Sequence, residues 1–222
     1  MRLRDNGLTL CFGLLFLAAL VGQAFAGHAS FNAEQLQHGG SDVSLVGYVT
    51  SASYGAAVLE NWQSEYLQFT LFILLTVWLV QRGSPESKQP GQQGGESDEE
   101  QEVGIHSSPS SPAWARASGW RKKVYGNSLV LVMGFIWICS WLGQSLTGWT
   151  EYSDQRIEHL QQPLSWTEYV GSANFWERTF QNWQSEFLAV ASMVVLSVWL
   201  RQRGSAQSKP VGAPHATTGA EG

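Results

Sequence analysis

Residues Asn61–Ser84 read NWQSEYLQFTLFILLTVWLVQRGS, and residues Asn182–Ser205 read NWQSEFLAVASMVVLSVWLRQRGS. Each stretch joins a polar pentad, an apolar run and a basic ending. The two lie 121 positions apart, and the same offset aligns residues 6–88 with 127–209 without a gap. Of these 83 pairs 29 are identical, which indicates duplication of one structural unit. We therefore predict two copies of a unit that reads helix, external loop, helix.

Four apolar blocks without charged side chains account for most of the hydrophobic residues: Leu8–Ala26, Tyr66–Val80, Leu129–Leu146 and Phe187–Leu200. The first and third approach the length needed to cross a hydrocarbon core of about 30 Å at about 1.5 Å per residue. The second and fourth reach it only with their polar pentads. We predict an all-α membrane protein with four transmembrane helices, at about 8–27, 61–81, 128–148 and 182–201.

The connecting segments decide the expected topology. The first repeat spans residues 1–88 and the second spans 124–209. Residues 89–123 between them are rich in Gly, Ser, Pro, Gln and acidic residues, so we predict that they form a disordered cytoplasmic linker. We also predict a disordered tail at 210–222. Only Arg156 and Arg178 of the 13 basic residues fall in external loops, which predicts cytoplasmic termini. Both hairpins then point the same way, as parallel repeats related by a pseudo-twofold axis along the membrane normal.

The N-terminal segment has an alternative interpretation. Its arginines, apolar run and Ala24-Phe25-Ala26 triplet resemble a cleavable secretory leader. The second copy carries the same segment in mid-chain, from Asn127, where no leader can be removed, and this favours a retained membrane helix. Cys11 and Cys139 lie within apolar blocks at non-equivalent repeat positions, so a disulfide framework is not expected.

Polar residues within the spans form a candidate cluster. Asn61 and Glu65 are one helical turn apart, and Gln23 and Glu65 both stand about 21–23 Å above the cytoplasmic edge. Three interpretations stay open: hydrated residues at the interface, proton or cation handling by costly intramembrane carboxylates, or a buried structural hydrogen bond. The candidate cluster comprises Gln23, Asn61, Glu65, Gln144, Asn182 and Glu186.

Two further patterns recur in both copies. Small residues every fourth position predict close helix packing, and aromatic and basic residues predict anchors at the membrane interface. Ser165-x-x-Glu168 and Asn174-x-x-Glu177 have the form of capping boxes, and Gly83 and Gly204 suit left-handed C-caps. The packing residues are Ala18, Gly22, Ala26, Cys139, Gly143 and Thr147, and the anchors are Trp62, Arg82, Trp183 and Arg203.

The duplicated NWQSE and QRGS-x-x-SK, with an N-terminal RDNGL and GQ-x-x-x-G, resemble an uncharacterised family of bacterial membrane proteins classed as a domain of unknown function. The resemblance covers Arg4–Lys209, and Tyr66 against Phe187 is a minor departure between the copies. It implies membrane residence and bacterial origin. It implies no catalytic residue, substrate or cofactor.

The sequence holds no nucleophile–base pair, phosphate-binding loop or zinc motif, so we expect neither an enzyme nor a cofactor or metal. His38 and His159 match across the copies, but we interpret them as solvated loop residues. The acidic chain does not favour nucleic-acid binding. We expect a bacterial inner-membrane protein acting through interactions, as an accessory subunit or scaffold, with lipid and a second copy or another membrane protein as partners. The alternative is an oligomeric transporter or channel using Glu65 and Glu186.

Overall fold

The computed structural model describes residues 3–219, and all regular structure within them is helical. The all-α prediction is confirmed for this part of the chain. Short 3-10 helices occur at Leu3–Asn6 and Gly104–His106. Within residues 3–219 there are seven α-helices, in chain order α1 (Gly7–Gln37), α2 (Leu45–Val49), α3 (Ala52–Trp78), α4 (Trp120–Gly126), α5 (Ser128–Glu158), α6 (Trp166–Val170) and α7 (Ala173–Trp199).

Three pairs of helices share a length and a sequence offset. Helices α1 and α5 each contain 31 residues, α2 and α6 contain 5, and α3 and α7 contain 27. The second member of each pair begins 121 positions after the first. The order long helix, short helix, long helix therefore occurs twice at the offset found in the sequence.

Two helices, α1 and α5, are long and apolar enough to cross a membrane. No part of the apolar stretch of α1 is buried, against 17% of that of α5. At about 1.5 Å per residue each helix extends about 46 Å, so its polar C-terminal turns would project beyond an apolar layer of about 30 Å. Helices α3 and α7 are not among the candidates, since each carries its polar pentad along its middle. These findings support association with a membrane.

Serine hydroxyls start the short helices. The Ser44 hydroxyl accepts the Gly47 N–H at 3.1 Å, and Ser165 accepts the Glu168 N–H at 3.4 Å. The Glu168 carboxylate accepts the Ser165 N–H at 2.8 Å, which confirms the predicted capping box. The side chain and backbone of Ser165 lower the pKa of Glu168.

The second predicted capping box is wrong. Asn174 lies inside α7, which begins at Ala173. The Ser172 hydroxyl accepts the Phe175 N–H at 3.3 Å and so supplies the cap two residues earlier.

The chain divides into two compact units: Met1–Glu60 with Leu142–Trp176, and Asn61–Trp141 with Glu177–Gly222. The first unit contains α1, α2 and α6, the start of α3, the end of α5 and the first residues of α7. Its buried centres include Tyr48 and Tyr169, at equivalent positions of the two copies. Each tyrosine ring lies so close to a glycine, Gly27 or Gly148, that a β-carbon there would meet the hydroxyl.

The loop after each long helix of the first unit is held at equivalent positions by different residues. The His28 Nε2 donates to the Val43 carbonyl at 2.7 Å. In the second copy the Trp149 Nε1 donates to the Leu164 carbonyl at 2.6 Å. The two hydrogen bonds join equivalent positions of the two copies, but the donor is an imidazole in the first copy and an indole in the second.

The second unit contains the remainder of α3, the linker, α4, the start of α5, most of α7 and the C-terminal segment. Within the predicted linker, Gly104 donates to the Ala115 carbonyl at 2.9 Å, and Lys122 pairs with Asp98 at 2.6 Å. The structure thus gives the linker turns and local contacts, and its disorder stays a prediction. The same holds for the tail, whose residues 220–222 lie outside the described residues.

Candidate functional site

The two glutamates of the predicted cluster approach each other in the second unit. The charge of Glu65 acts on Glu186, and the hydroxyl of the neighbouring Ser64 donates to the Asn61 carbonyl at 2.9 Å. Ser64 is buried, Glu186 half-buried and Glu65 exposed. The two pentads thus bring one carboxylate from each copy into the same neighbourhood. Such a pair could bind a cation or share a proton.

A hydrogen bond between the pentads accompanies the carboxylates. The Trp183 Nε1 donates to the Gln63 Oε1 at 2.8 Å, and Gln63 is completely buried. Gln184, its counterpart in the second copy, is exposed. The predicted anchor Trp183 is therefore half-buried and engaged with protein, whereas Trp62 is 37% exposed. The sequence pattern did not distinguish these two tryptophans.

The amide residues of the cluster differ in their surroundings. Gln23 and Gln144 belong to the first unit, whereas Asn61, Glu65, Asn182 and Glu186 belong to the second. Gln23 is half-buried; Gln144 is fully buried, and neither polar atom of its side chain has a partner among the described residues. The Asn182 amide donates to the Arg178 carbonyl of its own helix at 2.8 Å.

The small residues predicted to pack also differ between the copies. A β-carbon at Gly143 would lie 2.8 Å from Leu59 Cδ1, and one at Gly55 would lie 3.0 Å from Thr147 Cγ2. In the first copy Gly22 has open space around it, and Ala18 and Ala26 are exposed. Cys139 is exposed as well. Within the first unit, Gly143 and Thr147 of α5 therefore meet α3, whereas a β-carbon at Gly22 of α1 would have no neighbour within 4 Å.

The basic endings of α3 and α7 form one turn in both copies. The Ser87 hydroxyl accepts the Gln81 N–H at 2.9 Å, and the Ser208 hydroxyl accepts the Gln202 N–H at 2.9 Å. The predicted left-handed conformation is present, with φ of 88° at Gly83 and 78° at Gly204. The predicted capping role is wrong, because α3 and α7 end at Trp78 and Trp199, five residues before these glycines. The anchors Arg82 and Arg203 are exposed.

A scan of protein families matches residues 1–220 to a domain of unknown function, DUF6766. The chain belongs to this family. No curated protein and no solved structure matches it. Membership in DUF6766 assigns no activity, so the chemistry of the chain has to be inferred from its own residues.

An acidic cavity in the first unit was missed by the sequence reasoning. Its volume is about 600 Å³, and four carboxylates line it: Glu34, Glu151, Asp154 and Glu158. The sequence feature that could have indicated an acidic cavity was the near absence of Lys and Arg from the external loops, and we interpreted it only in terms of topology. In the structure, His38 Nδ1 lies 3.3 Å from Glu158 Oε2, and the ring centroids of His38 and His159 are 6.1 Å apart. Among residues 3–219, no group of three His, Cys, Asp or Glu side chains could hold a metal ion.

Proposed function

We propose that this chain is a bacterial inner-membrane protein that functions by associating with a second copy of itself through α1. In this proposal four helices cross the bilayer as two parallel hairpins related by a pseudo-twofold axis, with both termini in the cytoplasm. The matched helix pairs, the apolar character of α1 and α5, and the distribution of Lys and Arg support this topology.

The contrast between two equivalent stripes carries the proposal. In α5, Gly143 and Thr147 meet Leu59 and Gly55 of α3, whereas in α1 the small side chains are exposed and Gly22 has open space around it. Small residues at every fourth position allow two helices to approach closely in lipid. Such a stripe can pack against its own copy in a twofold dimer. The role is that of a scaffold or accessory protein, without catalysis.

The test is self-association in proteoliposomes, measured by energy transfer between labelled copies. We expect Gly22→Leu to weaken association at least about tenfold, because the leucine separates the helices and each 1.4 kcal/mol changes affinity tenfold. Gly13→Leu is the matched control, since Gly13 also has open space and lies about two and a half turns away, on the opposite side of α1. Equal effects of both variants, or no association of the wild type, would contradict the proposal.

A second candidate function rests on the approach of Glu65 to Glu186. Two carboxylates within a membrane layer would suit an oligomeric carrier or channel for protons or cations. Here the expected result is proton or cation flux into proteoliposomes that the double variant Glu65→Gln with Glu186→Gln abolishes while the protein stays folded. If vesicles containing the wild-type protein show no flux, the carrier or channel function is contradicted and the scaffold role is the one that stays supported.

A further inference from the structure

The segment that precedes α5 joins basic and aromatic residues. Residues 114–125, here called the basic segment, contain four Lys and Arg side chains and no acidic residue. The segment includes most of α4, which only Asn127 separates from α5. Because α5 is long and apolar enough to cross a membrane, the basic segment lies beside the point where α5 would enter the bilayer. Its cations are Arg116, Arg121, Lys122 and Lys123.

Two exposed tryptophans accompany these cations. Trp120 is 63% exposed and Trp114 is 43% exposed, and their ring centroids lie 5.8 Å apart in an edge-to-face arrangement. The Arg121 guanidinium carbon lies 5.6 Å from the centroid of the Trp120 ring. Val124 and Tyr125 are exposed as well. Aromatic rings beside Lys and Arg are typical of segments that lie at the level of lipid headgroups.

The linker supplies its own anion to the basic segment. Residues 96–102, here called the acidic run, contain five Asp and Glu side chains. The Lys122 Nζ donates to the Asp98 Oδ2 at 2.6 Å. Just beyond the acidic run, the Gly104 N–H donates to the Ala115 carbonyl at 2.9 Å. The acidic run is therefore held against the basic segment through one ion pair and one neighbouring backbone hydrogen bond.

The ion pair between the two segments is weak. Lys122 keeps 28% of its side chain exposed and Asp98 keeps 58%, and a partly exposed ion pair contributes little to stability. Within residues 3–219 the other three cations of the basic segment form no ion pair. An anionic leaflet presents many negative charges at once and attracts each Lys or Arg near its surface. Such a leaflet would therefore compete successfully with Asp98 for the basic segment.

The apolar side chains favour a lipid surface over a soluble anion. A soluble anion would neutralise the cations but would leave Trp120 and Val124 in water. A bilayer offers negative headgroups to the cations and an apolar layer to the aromatic rings at the same time. Its surface is also close, since only Asn127 separates α4 from the start of α5.

We propose that the basic segment binds anionic phospholipids of the cytoplasmic leaflet, and that the acidic run masks it until these lipids displace Asp98. The surface charge of the membrane then decides whether the acidic run stays on the basic segment or is released from it. The proposal rests on the insertion of α5 proposed above. It involves neither association through α1 nor the approach of Glu65 to Glu186, so it can fail while those proposals stand.

The experiment is hydrogen exchange of the full chain, one copy per nanodisc, with increasing fractions of phosphatidylglycerol in phosphatidylcholine. A nanodisc exposes both leaflets, so the orientation of the chain in a cell does not affect the result. We expect exchange at residues 120–126 to slow at least about tenfold as the anionic fraction rises, because several cations are each attracted to the surface. Exchange within α5 is measured in the same discs. Rapid exchange there in neutral discs would contradict its insertion, and this proposal with it.

Variants of opposite charge should act in opposite directions. Asp98→Asn weakens the mask and should lower, about twofold, the phosphatidylglycerol fraction that gives half of the protection. Arg121→Gln with Lys123→Gln removes two cations without changing the Lys122–Asp98 pair, and should reduce the protection at least about fivefold. Asp42→Asn is the matched control, because Asp42 is exposed and lies outside the acidic run.

Three further results would overturn the proposal. The first is equal exchange at 120–126 in neutral and anionic discs, which would show that no anionic lipid binds there. The second is an equal response of Asp98→Asn and Asp42→Asn, which would show that the acidic run does not mask the segment. The third is equal protection in neutral discs by inorganic phosphate or by RNA, which would show that a lipid surface is not required. Thermal unfolding of each variant checks that the fold is retained.

Discussion

The two copies of QRGS-x-x-SK adopt the same turn but are covered differently. Around the first, the Thr218 hydroxyl accepts the Gly83 N–H at 2.8 Å, and Lys209 donates its Nζ to the Gly83 carbonyl. Around the second, Gly204 has open space. Both turns lie in the second unit, and the C-terminal segment packs against the glycine of the first turn but not against that of the second.

The lysines that end the two motifs show the same divergence. Lys88 pairs with Glu96 of the linker at 2.9 Å and keeps 25% of its side chain exposed. Lys209 is 1% exposed and also donates to the carbonyls of His215 at 2.8 Å and Thr217 at 3.2 Å. Identical residues thus reproduce local hydrogen bonds in both copies, whereas the contacts at long range depend on segments that are not duplicated.

The glycines should reveal this difference most strongly. Gly83→Ala would place a β-carbon 2.5 Å from the His215 carbonyl oxygen and 2.9 Å from Val198. We expect a loss of about 2–5 kcal/mol in the free energy of unfolding, the sum of about 1–2 for the left-handed backbone and about 1–3 for overpacking. Denaturant unfolding in detergent measures it.

Gly204→Ala is the matched control, because its φ is also positive but nothing lies within 4 Å. Only the backbone term of about 1–2 kcal/mol should appear there. If the two variants lose equal stability, the C-terminal segment does not pack against Gly83 in solution.

Replacing the lysines tests the same contact from the other side. Lys209→Met should cost about 1–3 kcal/mol, because it leaves buried carbonyls without a donor, and should increase hydrogen exchange at residues 213–218. Lys88→Met should cost at most about 1 kcal/mol, since a partly exposed ion pair contributes little.

Hydrogen exchange measured separately for residues 81–88 and 202–208 provides the control. Neither variant removes the serine hydrogen bonds within these turns, so exchange there should change little. Greater loss from Lys88→Met than from Lys209→Met would contradict the assignment of Lys209 as the buried partner of the tail.

The repeated features were predictable because they are local. Helix pairs, the serine cap at Ser165 and the left-handed Gly83 and Gly204 follow from short-range patterns and from an offset that counts residues. The cap of α7 was missed by two residues, since Ser172 and Asn174 both have capping side chains and sequence alone does not choose between them.

The acidic cavity and the burial of Lys209 were not predictable in this way. Glu34 and Glu151 are more than 100 residues apart in the chain, and their approach to one cavity depends on how α1 and α5 pack within the first unit. Lys209 ends a motif that the sequence repeats almost unchanged, and only the fold shows that the tail surrounds it. Duplication predicts equivalent shape, but it does not predict equivalent surroundings.

The smallest difference between the copies should appear in acid. Helix α6 has Glu168 in its capping box, whereas α2 has Gly47 at that position. Hydrogen bonds from Ser165 lower the pKa of Glu168 in the folded protein, so its contribution is present above the pKa of the unfolded chain and is lost as pH falls through the folded value. Hydrogen exchange corrected for intrinsic rate should therefore increase at 165–171 below about pH 4, while 44–50 changes less.

Glu168→Gln keeps an acceptor without a titrating proton and should remove the dependence on pH. Parallel loss of protection in both helices, or an acid response that persists in the glutamine variant, would mean that the capping carboxylate does not distinguish α6 from α2.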